Sequence, residues 1–247
     1  MADKRVVITG AGGAIGSELA RAFAAAGSRV ALADLRQDAI DRVAATLEGE
    51  GHIAVPVDLR SIDSLPALVG DLRDKLDGLD VLVNCAGLVI RCPDLRQVTE
   101  ADWDAQQDVN LKAAFFLSRA AAEVMREQGR GGRVISFTSQ AWWSGSYGSA
   151  VVYAAAKGGI VSLMRGMARA YAGDKITFNA VAPGAIDTEM MTDGMSEEAL
   201  QNILKQIPLG YMAPPSDLAG AVLFLASSHA SYMTGTVLNV SGGWLMY

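Results

Sequence analysis

Seven short apolar runs, separated by stretches with helical periodicity, limit what this chain can become. Residues 5–9, 29–33, 53–57, 80–83, 133–137, 176–182 and 236–240 are short and nearly all apolar. Strands of that kind are buried on both faces. They belong to parallel sheets, whose crossover helices cover each side. Between them, residues 15–26, 38–47, 62–76, 100–127, 150–172 and 216–227 carry the apolar spacing of helices. The alternation predicts an α/β chain with one doubly wound parallel sheet, helices on both faces and right-handed crossovers. No repeat or Pro/Ser-rich linker divides residues 1–247, which read as one domain. Pro56 lacks an N–H for a ladder, so the third run is expected at a sheet edge or to end early. Residues 184–212, rich in Met, Gly and Pro, follow a strand end and read as a substrate lid with short helices of its own.

Composition narrows the function. A 51% hydrophobic fraction supports a large core, and a net charge of −6 leaves no basic surplus for nucleic acid or an anionic membrane. Two histidines, with Cys85 and Cys92 in no zinc spacing, argue against a metal site. No signal peptide precedes Arg5–Ile8, and no apolar run is long enough to span a bilayer. A cytoplasmic protein with reduced thiols is the expectation.

The first strand runs into Thr9-Gly10-Ala11-Gly12-Gly13-Ala14-Ile15-Gly16, which opens a helix. Glycines let a backbone approach a pyrophosphate, and the helix N-terminus offers free N–H groups and a favourable dipole. Asp34 ends the second strand, where a carboxylate would accept both adenosine ribose hydroxyls and repel a 2′-phosphate. No Arg or Lys lies in the turn, so NAD is favoured over NADP, although Arg36 could swing toward a phosphate. Asp34 could instead cap the next helix. Asp58 could meet the adenine amino group or simply hold a turn. Asn84-Cys85-Ala86-Gly87 ends the fourth strand with small residues that would let the backbone border a cofactor.

Tyr153 and Lys157 stand four apart in Tyr-Ala-Ala-Ala-Lys, on one face of a predicted helix. A free phenol with a pKa near ~10 is a poor acid or base at neutral pH, and a nearby cation lowers it. Such a spacing is common on surface helices and gains meaning only beside other site residues.

Taken together, these motifs resemble the short-chain dehydrogenase/reductase family over nearly all of residues 5–243. Thr9 to Gly16 is similar to its glycine turn, with Ala14 where glycine is more frequent. Asn84 to Gly87 is similar to its Asn-Asn-Ala-Gly segment, with Cys85 replacing the second Asn. The resemblance implies a Rossmann-like domain and a catalytic set of Asn110, Ser139, Tyr153 and Lys157. The interval from Ser139 to Tyr153 is one residue longer than is frequent in relatives. Cofactor contacts are implied at Gly10, Gly12, Gly13, Ala14, Ile15 and Gly16, then at Asp34, Leu35, Asp58 and Leu59. Further contacts are implied at Asn84, Ala86, Gly87, Tyr153 and Lys157, and at Pro183, Gly184, Ile186 and Thr188 by the nicotinamide. The implied chemistry is hydride transfer between nicotinamide and a secondary alcohol or ketone. Tyr153 exchanges the oxygen's proton and Ser139 hydrogen-bonds that oxygen. Lys157 lowers the phenol pKa and holds ribose hydroxyls. Asn110 distorts its helix to admit a water chain.

Substrate residues are expected in the loop after the fifth strand. Gln140 could hydrogen-bond a hydroxylated substrate, with Trp142, Trp143, Ser146 and Tyr147 close by and the two tryptophans stacking on a sugar face or packing the loop. Val89 and Arg91 face the expected crevice, where Arg91 meets a carboxylate or is solvated. Met190, Met191 and Met195 suggest an adaptable lid. Trp244-Leu245-Met246-Tyr247 is expected in a subunit interface of a homotetramer or dimer. The leading expectation is an NAD-dependent dehydrogenase of a small polyol, sugar or related hydroxy compound. The alternatives are a 3-oxoacyl thioester reductase and a non-catalytic NAD-binding regulator.

Overall fold

Alternate side chains of each strand leave the sheet on opposite faces, and helices cover both. The structure, a computed structural model, describes residues 1–247 except for the side chains of Tyr147 and Gly148. Its strands are β1 (Arg5–Thr9), β2 (Arg29–Asp34), β3 (Ile53–Pro56), β4 (Val81–Asn84), β5 (Gly132–Phe137), β6 (Ile176–Pro183) and β7 (Val237–Val240). They form one seven-stranded sheet, every pair parallel, in the order β3-β2-β1-β4-β5-β6-β7. β3 is an edge strand and Pro56 is its last residue, as the missing N–H requires.

On one face, Val6, Ile8, Val30 and Leu32 pack with Leu19 and Phe23 of α1 (Ala14–Ala25), Ile40 and Val43 of α2 (Gln37–Ala44), and Val222 and Leu225 of α10 (Ala219–Ala226). On the other, Val7, Leu82, Val134 and Phe178 meet α3 (Leu65–Leu76), α5 (Ala113–Gln128) and α7 (Val151–Ala170). In α3 the buried residues Leu65, Val69, Leu72 and Leu76 follow a helical stripe. The stretch predicted as one helix over 100–127 is instead α4 (Glu100–Gln107), a π-helical turn over Asp108–Lys112, and α5. Thr99 and Asp102 form a capping box at the start of α4. Three short helices escape the periodicity reading or fall in the expected lid: α6 (Ala141–Ser144), α8 (Glu189–Thr192) and α9 (Glu197–Leu204). No helix among the described residues is long and apolar enough to cross a membrane.

The edge of the sheet opposite the glycine turn is tied by charge. Asp80 is 5% exposed and accepts hydrogen bonds from Arg5 at three points: backbone N (2.9 Å), Nε (2.6 Å) and Nη2 (2.9 Å). Burial pushes the Asp80 carboxyl up, but the Arg5 hydrogen bonds and charge outweigh it and hold the group below the usual carboxylate range. A carboxylate depressed in the folded state contributes stability above its unfolded pKa, which is lost as pH falls through the folded value. Asp80→Asn should therefore lower the unfolding free energy by roughly 2–4 kcal/mol at pH 7. Its deficit should shrink in acid, where the native carboxyl is also protonated. Urea titrations at pH 7 and near pH 3 measure both, and a pH-independent deficit would refute the charge assignment.

Candidate active site

The carboxyl ends of β1, β2, β4, β5 and β6 lie along one edge of the sheet, and the expected site residues follow them. At Gly10 the backbone φ is +67°, and an added Cβ would sit 2.7 Å from the Ala86 Cα. The turn after β1 therefore presses on the loop after β4, a contact only glycine permits. A Cβ at Gly16 would collide with the Gly10 carbonyl oxygen. Gly13 occupies the N-cap of α1 and brings no side chain to the first-turn N–H groups. Those donors lie beside the turn where a pyrophosphate would sit.

Asp34 accepts hydrogen bonds from Gly12 N (3.0 Å) and Arg36 N (3.1 Å), one on each oxygen. A carboxylate offers about four lone-pair sites, so acceptor capacity remains for two ribose hydroxyls. Leu35 is 64% exposed and offers an apolar surface next to that carboxylate. The glycine cradle, the uncapped helix start and the remaining acceptors of Asp34 fit a dinucleotide.

Some expected cofactor contacts are otherwise engaged. Both oxygens of Asp58 bind Arg60, through its backbone N (3.0 Å), Nε (3.0 Å) and Nη2 (2.7 Å). Asp58 thus holds the turn to Arg60 two residues on. The side chains of Leu59 and Ile186 pack against the core, leaving only their backbones toward the edge. Asn84 donates to Ser118 Oγ (2.9 Å) and Ser136 Oγ (3.1 Å), so its amide joins β4 to α5 and β5. The Thr188 hydroxyl caps α8 by accepting from Met191 N at 3.3 Å. Gly184 N donates to Val240 O at 2.9 Å, anchoring the residue after Pro183.

Asn110, Ser139, Tyr153 and Lys157 converge. Asn110 sits in the π-helical turn, donates to Leu88 O (2.6 Å) and Gln106 O (2.8 Å), and accepts from Leu88 N (3.2 Å). Distorting the helix frees the Gln106 carbonyl for this bond. A Cβ on Gly87 would lie 3.2 Å from Asn110 Oδ1 and 3.7 Å from Lys157 Nζ, so the loop after β4 runs directly over both. Lys157 is 3% exposed, donates to Phe137 O at 2.8 Å and has its Nζ 5.4 Å from the centre of the Tyr153 ring. Ser139 hydrogen-bonds the Tyr153 side chain, and its Oγ also accepts from Ala141 N at 3.2 Å.

The electrostatics correct one expectation. Burial pushes the Tyr153 phenol up to about 12, and the Ser139 hydrogen bond offsets this only in part. Burial pushes the Lys157 ammonium down to about 8. The ammonium, 5.4 Å from the ring centre, donates to the Phe137 carbonyl, and desolvation of the phenol outweighs the charges near it. Protonated through the neutral range, the phenol is a proton donor. The Cys85 thiol, in the same buried space, is held at about 12 by burial and is not a nucleophile.

Two positioning residues lie outside the sequence reading. Thr138 Oγ1 donates to Lys157 O at 2.7 Å, fixing α7 to the end of β5. Gln106, 1% exposed, accepts from Ile90 N at 3.0 Å. Gln106 and Asn110 are four apart, two buried amides on one helical face, a signal the sequence did contain.

On the substrate side, Gln140 is 9% exposed, with its Oε1 lacking any donor. Trp142 and Trp143 form one aromatic cluster with Tyr247. Trp142 Nε1 donates to the Tyr247 hydroxyl (3.4 Å), and Trp143 stacks on the Tyr247 ring (5.6 Å between centres, 30°). Tyr247, expected at a subunit interface, is thus folded onto its own chain's aromatic loop. Tyr147 lies outside the described residues. Arg91 Nη2 donates to Met190 O at 2.7 Å, bridging the loop after β4 to the expected lid. Among the described residues no cluster of His, Cys, Asp and Glu could hold a metal ion.

A family model described as enoyl-(acyl carrier protein) reductase matches residues 10–245. The chain is 36% identical over 245 residues to 2-dehydro-3-deoxy-D-gluconate 5-dehydrogenase of Escherichia coli K12, covering 98% of this chain and 95% of that one. It is 37% identical over 243 residues to the 3-oxoacyl-[acyl-carrier-protein] reductase of Rickettsia typhi, covering 98% and 97%. A solved structure of a proposed NAD(P)-dependent gluconate 5-dehydrogenase from Beutenbergia cavernae, with NADP bound at low occupancy, superposes with a TM-score of 0.90. Its identity is 34%, covering 99% of this chain and 97% of that one.

Asp34→Ala should lower the ratio of kcat/KM for NAD to that for NADP by roughly tenfold, the scale of one lost charged hydrogen bond. Steady-state kinetics with both cofactors checks this. An unchanged ratio would remove Asp34 as the reader of the ribose.

Proposed function

The chain belongs to the short-chain dehydrogenase/reductase family, and from that premise we propose that it is an NAD-dependent dehydrogenase of a small polyol, sugar or related hydroxy compound. Members of the family are oxidoreductases that bind a nicotinamide cofactor. The observation that carries the reading is the half-buried Ser139–Tyr153 pair beside the buried Lys157, on the same sheet edge as the glycine turn. NAD, over NADP, is supported by the Asp34 carboxylate bonded to Gly12 N, where a 2′-phosphate would meet negative charge.

When bound, nicotinamide supplies two-electron hydride exchange with the carbinol carbon. In reduction Tyr153 gives its phenolic proton to the substrate oxygen, and in oxidation it accepts the proton from the alcohol. Ser139 donates to that oxygen and steadies its developing charge. Lys157, held by Phe137 O, keeps a positive charge under the phenol and would hold ribose hydroxyls. Asn110 fixes Leu88 and so the loop above them. Gln140 Oε1, lacking a donor, favours a hydroxylated substrate. Residues 184–212, with α8 and α9, form the substrate lid.

The relation to a 3-oxoacyl-[acyl-carrier-protein] reductase favours a second reading, thioester reduction. Against it stands a net charge of −6, with no basic surplus to meet an acidic carrier. Retention of all four catalytic residue types weighs against a non-catalytic regulator. We place the enzyme in the cytoplasm as a homotetramer or dimer, a reading supported by exposed Trp103, Phe115 and Phe224. Light scattering should give a mass of two or four chains, and a monomer would refute it.

Tyr153→Phe removes the proton donor and keeps the ring. Turnover of polyols and sugars should fall by about 10²–10⁴-fold, while NADH binding, followed by fluorescence, persists. Appreciable retained activity would overturn the mechanism.

A further inference from the structure

Resting on that dehydrogenase reading, we infer that the substrate also carries a carboxylate and that Arg91 binds it, which makes the substrate class hydroxylated or keto monocarboxylic acids. The placement of Arg91 is built. The residue before it is held by the Gln106 side chain (Ile90 N to Oε1, 3.0 Å), and the residue after it by the loop leading into α7 (Cys92 N to Ser149 O, 2.7 Å). Asn110 fixes Leu88 two residues further back through both backbone groups. From this fixed backbone the guanidinium crosses to the first turn of α8, where Nη2 donates to Met190 O at 2.7 Å.

Only that one nitrogen of Arg91 is engaged. A guanidinium carries five N–H donors in a planar fork suited to a carboxylate. Other forks near turns and strand ends are filled. Arg5 is taken by Asp80, Arg60 by Asp58 and Arg96 by Asp94, each through two or more bonds. Arg91 is in no ion pair among the described residues. Its charge is nevertheless close enough to Tyr153 to pull the phenol down against burial. The groups facing the phenol are thus Ser139, the Cys85 thiol, the Lys157 ammonium and this guanidinium. In a chain with a net charge of −6, an exposed guanidinium outside any ion pair, set between the loop after β4 and α8, is where an anion is drawn.

The arrangement has a built-in consequence. The same guanidinium grips the lid through Met190, so the carboxylate and α8 meet at one residue.

Two measurements test this. The native enzyme is assayed with six-carbon aldonates and ketoaldonates, with their methyl esters, and with the neutral polyols of matching configuration. Arg91→Gln and Arg91→Lys are assayed on the same panel. The native enzyme should prefer the free acid to its neutral ester. The ratio of kcat/KM for acid to that for polyol should fall by roughly 30-fold or more in Arg91→Gln, through KM, with partial recovery in Arg91→Lys. An acid-to-polyol ratio the same in all three proteins, or a native preference for esters and polyols, overturns the carboxylate site and leaves the dehydrogenase reading standing. Reduction of 3-oxoacyl thioesters with no turnover of any hydroxy compound overturns the dehydrogenase reading, and the carboxylate site falls with it. Should Arg91→Gln fail to fold, the acid-against-ester comparison in the native enzyme decides alone.

Discussion

Parallel pairing is the constraint on which the rest of this molecule depends. Two parallel strands cannot be joined by a tight turn, so every connection crosses a face and every strand points the same way. In the order β3-β2-β1-β4-β5-β6-β7, the strand order reverses direction between β1 and β4. At that point the loops after β1 and β4 are close enough for Gly10 to touch Ala86. Backbone ends, helix N-terminus and polar side chains gather at one edge because the hydrophobic layers occupy both faces. Stability resides elsewhere, in the two apolar layers and in charge ties such as Arg5–Asp80 at the opposite edge.

Water exclusion governs the chemistry at the crowded edge. Tyr153 and Cys85 are half-buried beside the buried Lys157, and each of the three is displaced toward its neutral form. The protein counters with fixed donors and acceptors. Phe137 O receives the ammonium, Ser139 meets the phenol, and Thr138 ties the Lys157 backbone to β5. Asn110 belongs to the same set for a geometric reason. Its π-helical turn releases a carbonyl and aims an amide at Leu88, so a helix fault becomes the support of the loop carrying Arg91.

Much of this was legible in the sequence. The seven apolar runs became the seven strands, and the proline that looked misplaced in the third became its end at the sheet edge. The fault within 100–127 was not legible, because a π-helical turn keeps helical composition and differs only in which carbonyl is satisfied. Asp58 resisted reading as well. An aspartate at a strand end suits a ligand or a turn equally, and its bonds to Arg60 appear only in the folded chain. The stacking of Tyr247 on Trp143 was not legible, because composition says that an apolar segment must be covered and not by what.

By itself the sequence determined the layer architecture, the glycine turn and the residue types converging on the reaction. Period, glycine placement and side-chain chemistry are local properties that survive without coordinates. Only the tertiary structure decided the phenol's protonation, the commitment of the Lys157 ammonium to Phe137, and the reach of Arg91 to Met190. Those depend on burial and on distances between residues far apart in the chain. Desolvation and hydrogen bonding act over a few ångströms of space, whatever the separation in sequence.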